Sequence, residues 1–572
     1  MRRHAPDFGP HVIIFDPSMP LEQIQARLDA IAAQQTDSEM SAARYAVLFM
    51  PGVYGSPKQP LVFQVGYYTD VAGLGASPTE VVINGHADVY NRCYTPGRCL
   101  ALTNFWRSVS NLTIHVMGAT GCRAAGNFWA VSQAAPLRRV HITGGDLLLQ
   151  DHCTAGPQYA SGGFIADSQL GFVTNGLQQQ YFVRDSQIAG WSNASWNQVF
   201  CGVVGAPPQS FASTPHDPPP YTTLAASPVS REKPFLVVDA AGSYRIFVPA
   251  LRHQATGTTW ANGPTAGTSI PIEQCFVARP TDGAQAINAA LARGQHLIFT
   301  PGIYQLDATI EVTRADTVVL GLGLATLVPA NGLAALQVAD VAGVKLAGLI
   351  IDAGPVNSPV LLQVGAPHAH QGDPANPTSL HDIYFRIGGA TPGKATTSLI
   401  VNSDHVLIDH IWAWRADHGH GVGWTANTAD TGVIINGDYV TAYALFVEHY
   451  QKHELIWQGE HGRTIFFQNE TPYDPPEQAA WAHDGVNGYT AYKVADTVTT
   501  HEAWGMGSYC YFNRGVDIHV TRAFEVPNTA GVRLHDILTV FLNGLGGIDH
   551  VVNDTGAAVN AANQITNIVS YP

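Results

Sequence analysis

The feature that most constrains this chain is a long internal repeat. Residues 47–54 read VLFMPGVY and residues 297–304 read LIFTPGIY, an offset of 250. A short stretch of helical spacing precedes each copy, PLEQIQARLDAIAAQ at 20–34 and TDGAQAINAALAR at 281–293. After each comes a Gly-Leu-Gly turn: Gly73 to Gly75 before PTEVVING, and Gly321 to Gly323 before ATLVPANG, here at an offset of 248. Three blocks in the same order at nearly constant offset mean a duplicated domain, and self-similarity of this length outranks local propensity.

Within each copy, short apolar runs alternate with Asn, Gly and Asp. The second half gives VKLAGLIID, DIYFRIGG, LIVNSDHVLIDHIWAW, VIINGDYVTAYALFVEH, TIFFQNE, AYKVADTVTTHEAW and VRLHDILTVFLNG. The units recur at roughly 20 to 25 residues, the spacing of parallel β-helix coils. Charged residues are only 13% against 46% hydrophobic, with 56 Gly and 36 Pro, which suits many strands and tight turns better than helices with wet faces. A sandwich would instead show two-residue hairpin turns. The expectation is therefore an all-β chain of two tandem parallel β-helices, each opened by a short capping helix that hides the first edge. The Pro-rich stretch from Ala206 places the first domain at 1–204, a linker at 205–274 and the second domain at 275–572.

A formal charge of −15 argues against nucleic acid, whose partners need basic stripes, and suits a neutral polysaccharide. No run of about 18 apolar residues exists to span a membrane. MRRHAPDFGPHVIIFDP has no apolar core after its basic residues, so it is not a signal peptide. The chain is expected to be either cytoplasmic or a mature form whose leader is absent from this sequence. Of seven cysteines, Cys93 and Cys99 flank a Pro-Gly turn and could close a disulfide or stand as free thiols. None has the spacing of a zinc site.

The chemistry is expected in LFVEHYQKHELIWQGEHGRTIFFQNETPYDPP, residues 445–476. It holds Glu448, Glu454, Glu460 and Glu470 among Tyr450, Trp457 and Tyr473. Glu448 and Glu470 are 22 residues apart, so a coil of that length stacks them at about 4.8 Å. Two such carboxyls cannot both ionise cheaply, and the one that keeps its proton is a general acid for a glycosidic oxygen. Solvated surface charge is the bland alternative, and Glu454 and Glu460 are read that way. Trp412, Trp414, Asp417, His418 and His420 lie upstream in IWAWRADHGHG. Aromatic rings beside acids suit sugars, whose C–H faces stack on rings. Trp412 and Trp414 share one face of a strand, so both are buried or both line the site. His449 and His453 would suit a metal only on a helix, and their context reads as strand and turn, so no metal and no cofactor is expected. In the first half, Gln178 and Gln180 put two amides on one face, either for a water or hydroxyl or as a plain polar ladder.

With QNETPYDPP, VEHYQKH and WAWRADHG in view, the sequence resembles glycoside hydrolase family 55, the β-1,3-glucanases or laminarinases, in its bacterial form. The resemblance covers most of the chain, including both PG[VI]Y starts and the QQQ strand. It implies two right-handed β-helices side by side like a ribcage, a site between them, and hydrolysis of β-1,3-glucan with inversion. It further implies Glu470 as general acid, Glu448 as its carboxylate neighbour, Trp414, Asp417 and Tyr473 as substrate contacts with Trp457 beside them, and Gln178 and Gln180 as holders of the attacking water. Cys201 stands where the resemblance leads us to expect a serine. A secreted monomer acting on β-1,3-glucan, its leader removed, follows from the same resemblance. The competing readings are a β-helical polysaccharide lyase, loosely suggested by HVLIDHIW at 405–412, and a non-catalytic glycan-binding solenoid.

Overall fold

The structure is a computed structural model and describes residues 6–176 and 180–572. Each half opens on one helix. Helix α1 (Leu21–Gln35) buries Ile24, Leu28 and Ile31, and helix α2 (Ala284–Ala292) buries Ile287 and Leu291, each over the first coils of its stack. The repeated PG[VI]Y block does the same job twice. Gly52 (φ +149°) lies so close to Pro17 that an added Cβ would meet its ring at 2.6 Å, and Gly302 (φ +152°) meets Pro280 at 2.3 Å. Only glycine tolerates both that backbone and that approach. The tyrosine that follows turns back in both copies: Tyr54 donates to the carbonyls of Phe15 and Met50, and Tyr304 to those of Ala278 and Thr300.

The first half stacks parallel strands, among them β1 (Arg107–Val116), β2 (Leu137–Thr143), β3 (Phe164–Ala166), β4 (Gln180–Arg184), β5 (Asn197–Cys201) and β6 (Tyr221–Leu224). The last rung, β6, lies past residue 204, inside the stretch expected as linker. The remainder of that stretch forms small antiparallel ribbons. The second half stacks β7 (Lys345–Asp352), β8 (Ser379–Ile387), β9 (Leu407–Arg415), β10 (Thr441–Glu448), β11 (Gly462–Glu470), β12 (His501–Phe512) and β13 (Val532–Gly544) into a parallel sheet, faced by a nine-stranded wall. Each stack packs inward-facing aliphatic and aromatic side chains into its own core. An antiparallel strand, Ile565–Tyr571, covers the last coil of the second stack. The coil period is not constant. It is 22 residues between β10 and β11 but 28, 34 and 39 at neighbouring coils, because loops are inserted after β9 and after β11.

The two stacks meet along a buried seam. Tyr68, Phe105 and Trp106 of the first half pack against Trp412, Trp414 and Phe446 of the second, with Trp106 and Trp412 rings 5.6 Å apart. Beside this layer lies a buried ion network. Arg138 grips Asp382 through two bonds of 2.9 Å and also reaches Asp409 and Glu232. Arg184 binds Asp409 and Glu232 at 2.7 Å. Such a network fixes the geometry of the two halves, because orphaning one buried partner costs about 3–5 kcal/mol.

Candidate active site

In a parallel ladder, equivalent side chains on successive strands stand one above another. Here the register runs Trp414, Glu448, Glu470, Tyr509 across β9, β10, β11 and β12. Glu448 (3% exposed) and Glu470 (7% exposed) are therefore direct neighbours. His449 follows β10 with φ +69°, a turn that brings its ring in among three carboxylates. Its Nε2 is 3.4 Å from Glu470, 3.6 Å from Glu448 and 3.7 Å from Asp417, while Nδ1 faces the Thr471 carbonyl at 2.9 Å. Tyr473 donates to Glu470 Oε2 at 2.5 Å.

Electrostatics separate these acids. Burial pushes Glu448 well above the usual carboxylate range, and the charges of Glu470 and Asp417 push it further. Burial also raises Glu470, aided by Asp417 and opposed by His449 and the Tyr473 hydroxyl. Asp417 behaves differently. Burial pushes it up, but the hydrogen bond and charge of His418 and the charge of His449 prevail and hold it at about 2. His418 in turn is pushed down by burial, yet its hydrogen bonds to Asp417 and Glu39 hold it at about 10. Glu39 belongs to the first half and contacts His418 Nε2 across the seam. The site thus keeps one permanent anion, Asp417, beside a carboxyl pair that retains a proton near neutral pH.

The first half supplies neutral groups. Gln133 donates its amide to Glu448 Oε1 at 2.7 Å, and Ser161 donates its hydroxyl to Gln133 Oε1 at 2.6 Å. Gln180 is fully buried at the start of β4 with both amide atoms unpartnered, and it approaches the Tyr509 hydroxyl. Gln468 on β11 is likewise buried and stands beside Glu448. Free donors and acceptors gathered in a buried space are places for water or for sugar hydroxyls. Gln178 lies outside the described residues.

Several residues read from the sequence stand elsewhere. Trp457 is a correction: it lies on the nine-stranded wall and points inward, buried against His501 and Tyr492. Tyr450 is also core, bonded to Ser398. Glu454 is not a surface charge. It is buried, its carboxyl accepting the Tyr450 amide, and burial raises it far above the usual range. Glu460 does cap a turn, at Thr499 and Thr500. Trp412 and Trp414 are both buried in the seam, and Trp414 reaches the site through its indole N–H, which donates to Asp417 at 3.1 Å. The segment His405–Trp412 carries Asp409 into the arginine network rather than into an open lyase-like cleft. His453 bonds to the Thr490 carbonyl instead of pairing with His449. Glu448, His449 and Glu470 offer ligand atoms within 4.8 Å of one another. A cation there needs both carboxyls ionised, which their burial opposes.

The comparisons bear on this geometry directly. The LAM55 pectate lyase-like domain model matches residues 275–470, ending on Glu470. An exo-beta-1,3-glucanase of Streptomyces sp. (strain SirexAA-E / ActE) is 50% identical over 568 residues, 99% of this chain and 90% of that protein. The solved structure of sacteLam55A from Streptomyces sp. SirexAA-E superposes with a TM-score of 0.92 at 50% identity, covering 99% of both chains. A glutamate-to-alanine variant of sacteLam55A in complex with glucose gives 0.91 at 47% identity and the same coverage. The chain belongs to glycoside hydrolase family 55.

Within this family 55 chain, the sequence pattern missed Gln133 and Ser161. Gln133 sits in WAVSQAAP, a stretch with no strand or turn signature, and it meets Glu448 across 315 residues of chain. The hydroxyl that meets Gln133 is that of Ser161, and position 201, where a serine is expected, holds a cysteine. Cys201 is buried beside Ser227, with its thiol facing the Ala226 carbonyl. Two disulfides, Cys93–Cys99 and Cys122–Cys153, brace the loops of the first half.

Proposed function

We propose that this protein hydrolyses β-1,3-glucan from a chain end, releasing glucose with inversion, and that Glu470 protonates the leaving oxygen. The observation that carries this reading is the Glu448–Glu470 pair, buried and adjacent on one wall, with hydrogen-bonding amides opposite. Glu470 is the member nearer the cleft, beside the fixed charge of Asp417, which favours its protonated form. Glu448 accepts the Gln133 N–H and Glu470 the Tyr473 hydroxyl, and burial keeps a proton on the pair. Proton donation by Glu470 and uptake by Glu448 leave the charge of the pair unchanged through the reaction.

Two carboxyls this close would suit a double displacement if they flanked the sugar. These two do not flank it, since they project from neighbouring strands of one sheet. The opposite wall offers Ser161, Gln133 and Gln180, none a nucleophile with a nearby base, and all suited to orient a water. That arrangement supports single displacement. Asp417 and Tyr473 suit the hydroxyls of the terminal sugar. The named exo-acting relative supports chain-end attack. The disulfides favour work outside the cytoplasm, and a site complete within one chain favours a monomer. Product analysis on laminarin tests the reading: glucose alone, appearing first as the α-anomer by proton NMR, is expected. A ladder of oligomers would rule out chain-end action, and a first-formed β-anomer would rule out inversion.

A further inference from the structure

Three side chains able to ligate a metal meet on the second half, at the other end of β10 from Glu448. Asp404 and Asp438 occupy equivalent turns just before β9 and β10, one coil apart. The loop between the Ser358–Val364 strand and β8 returns to these turns and lays His370 alongside them. His370 Nδ1 is 3.0 Å from Asp404 Oδ1 and 3.7 Å from Asp438 Oδ2. Ligand atoms of all three residues lie within 4.8 Å of one another. Imidazole nitrogen and carboxylate oxygen bind a zinc ion at about 2.0–2.2 Å, which sets neighbouring donors about 3–3.5 Å apart. The cluster already stands close to that spacing.

Turn geometry accounts for part of this cluster and leaves part over. Asp404 Oδ1 accepts the Asp438 amide at 2.7 Å, and Asp438 Oδ1 accepts the Glu460 amide at 2.8 Å. Each acid thus caps the next coil with one oxygen, and neither cap uses Oδ2. No Lys or Arg among the described residues pairs with either acid, whereas Asp430 holds Lys452 and Asp554 holds Arg522. The ligand side chains are open to solvent, 18% for Asp404, 34% for Asp438 and 47% for His370. A cavity of about 360 Å³ opens on them, lined by His370 and Asp438 with His368, Asn402, Asn436 and Gln458.

The donors select the guest. Two carboxylates repel an anion. A calcium ion takes about six to eight oxygens and has no use for an imidazole. A first-row dication accepts mixed nitrogen and oxygen donors and completes its shell with water, for which the cavity has room. The bond between His370 and Asp404 is no obstacle, since an imidazole gives up its proton when that nitrogen takes a metal. We propose that His370, Asp404 and Asp438 form a zinc site that pins the inserted loop to two successive coils. The expectation of no metal rests on His449 and His453, and neither belongs to this cluster. Strand β10 separates the site from the carboxylate pair, so the ion holds the fold and takes no part in hydrolysis. The proposal stands apart from the activity proposed above.

The test uses the full chain, stripped with EDTA and titrated calorimetrically with zinc chloride. One zinc ion per chain is expected to bind and to raise the thermal midpoint, and calcium chloride should do neither. His370→Ala, at a half-exposed loop position, should weaken zinc at least tenfold. Asp438→Asn keeps the oxygen that caps Glu460 and removes a ligand charge. It should weaken zinc similarly and leave the midpoint of the stripped chain unchanged. Anomalous scattering at the zinc edge from a soaked crystal should place the ion among the three side chains. A chain that binds no zinc overturns the proposal, as does binding that neither substitution weakens, or an ion found at Glu448, His449 and Glu470 instead. Stripped and zinc-loaded chains should hydrolyse laminarin with the same kcat, and a rate that rises with zinc would overturn the structural role.

Discussion

Gly52 against Pro17 and Gly302 against Pro280 open the two β-helices in the same way, yet the stacks bring opposite chemistry to their seam. The second presents acids in a column, Glu448 beside Glu470, with Asp417 close by. The first presents amides and a hydroxyl, Gln133, Gln180 and Ser161, and keeps its buried arginines, Arg138 and Arg184, among Asp382, Asp409 and Glu232. The division has a physical reason. Burial and the charge of Asp417 hold a proton on the carboxyl pair against the pull of His449, and an arginine added from the opposite wall would tip that balance. Neutral amides orient water without shifting either pKa far. Duplication supplied two similar walls: the carboxyl pair and Asp417 stand on one, and the other adds amides, a hydroxyl and Glu39, which reaches across to His418.

This contrast can be broken from either side. The largest effect is expected from Glu470→Gln, which removes the proton and keeps the shape. Its kcat on laminarin should fall by about 10³–10⁴ with the thermal midpoint unchanged, in line with the contribution of general acid catalysis. Next comes the neutral wall. Gln133→Ala or Ser161→Ala should lower kcat about 10²-fold, the scale of one lost preorganised hydrogen bond. A wall that merely supports its neighbour would show no such loss in a folded variant. Arg138→Met addresses the seam and should cost about 3–5 kcal/mol in urea unfolding, by leaving Asp382 and Asp409 underpaired.

Smaller effects follow from the charges around Asp417. Activity should fall as pH rises through the raised pKa of Glu470, because only the protonated form donates, and fall again at low pH as Glu448, the proton acceptor, is itself protonated. Asp417→Asn removes an anion that helps hold the Glu470 proton, so the alkaline limb should move to lower pH. Glu39→Gln should let His418, now held at about 10 largely by Asp417 and Glu39, lose its proton at lower pH. A new descending step in kcat/KM on the alkaline side is the expected sign, and its absence in the Glu39→Gln, His418→Gln double variant would identify the titrating group.

How much of this was legible in the sequence follows from the distances involved. The Glu448–Glu470 pairing could be read because it needs only one coil of 22 residues with no insertion. The general coil length could not, since the loops after β9 and β11 stretch neighbouring coils to 34 and 39. Trp457 misled because a tryptophan filling a β-helix core and one lining a sugar site look alike in a list. Its parity with Leu455, two residues earlier in the same strand and also buried, is the signal that marks it as inward. Glu454 misled for the opposite reason: nothing local announces a protonated acid inside a coil. Gln133 and Ser161 were out of reach, because their place depends on how two separately folded stacks dock. Of the QQQ strand, Gln180 lies buried near Tyr509, and residues 178 and 179 lie outside the described residues.

The central claim is that one site is assembled from both β-helices, with Gln133 and Glu448 acting as a unit. A double-mutant cycle on kcat/KM for laminarin tests it most directly, using Gln133→Ala, Glu448→Ala and the pair. Strong non-additivity is expected, the double variant being little worse than the poorer single one. Losses that simply multiply would contradict it and return the first β-helix to the role of scaffold.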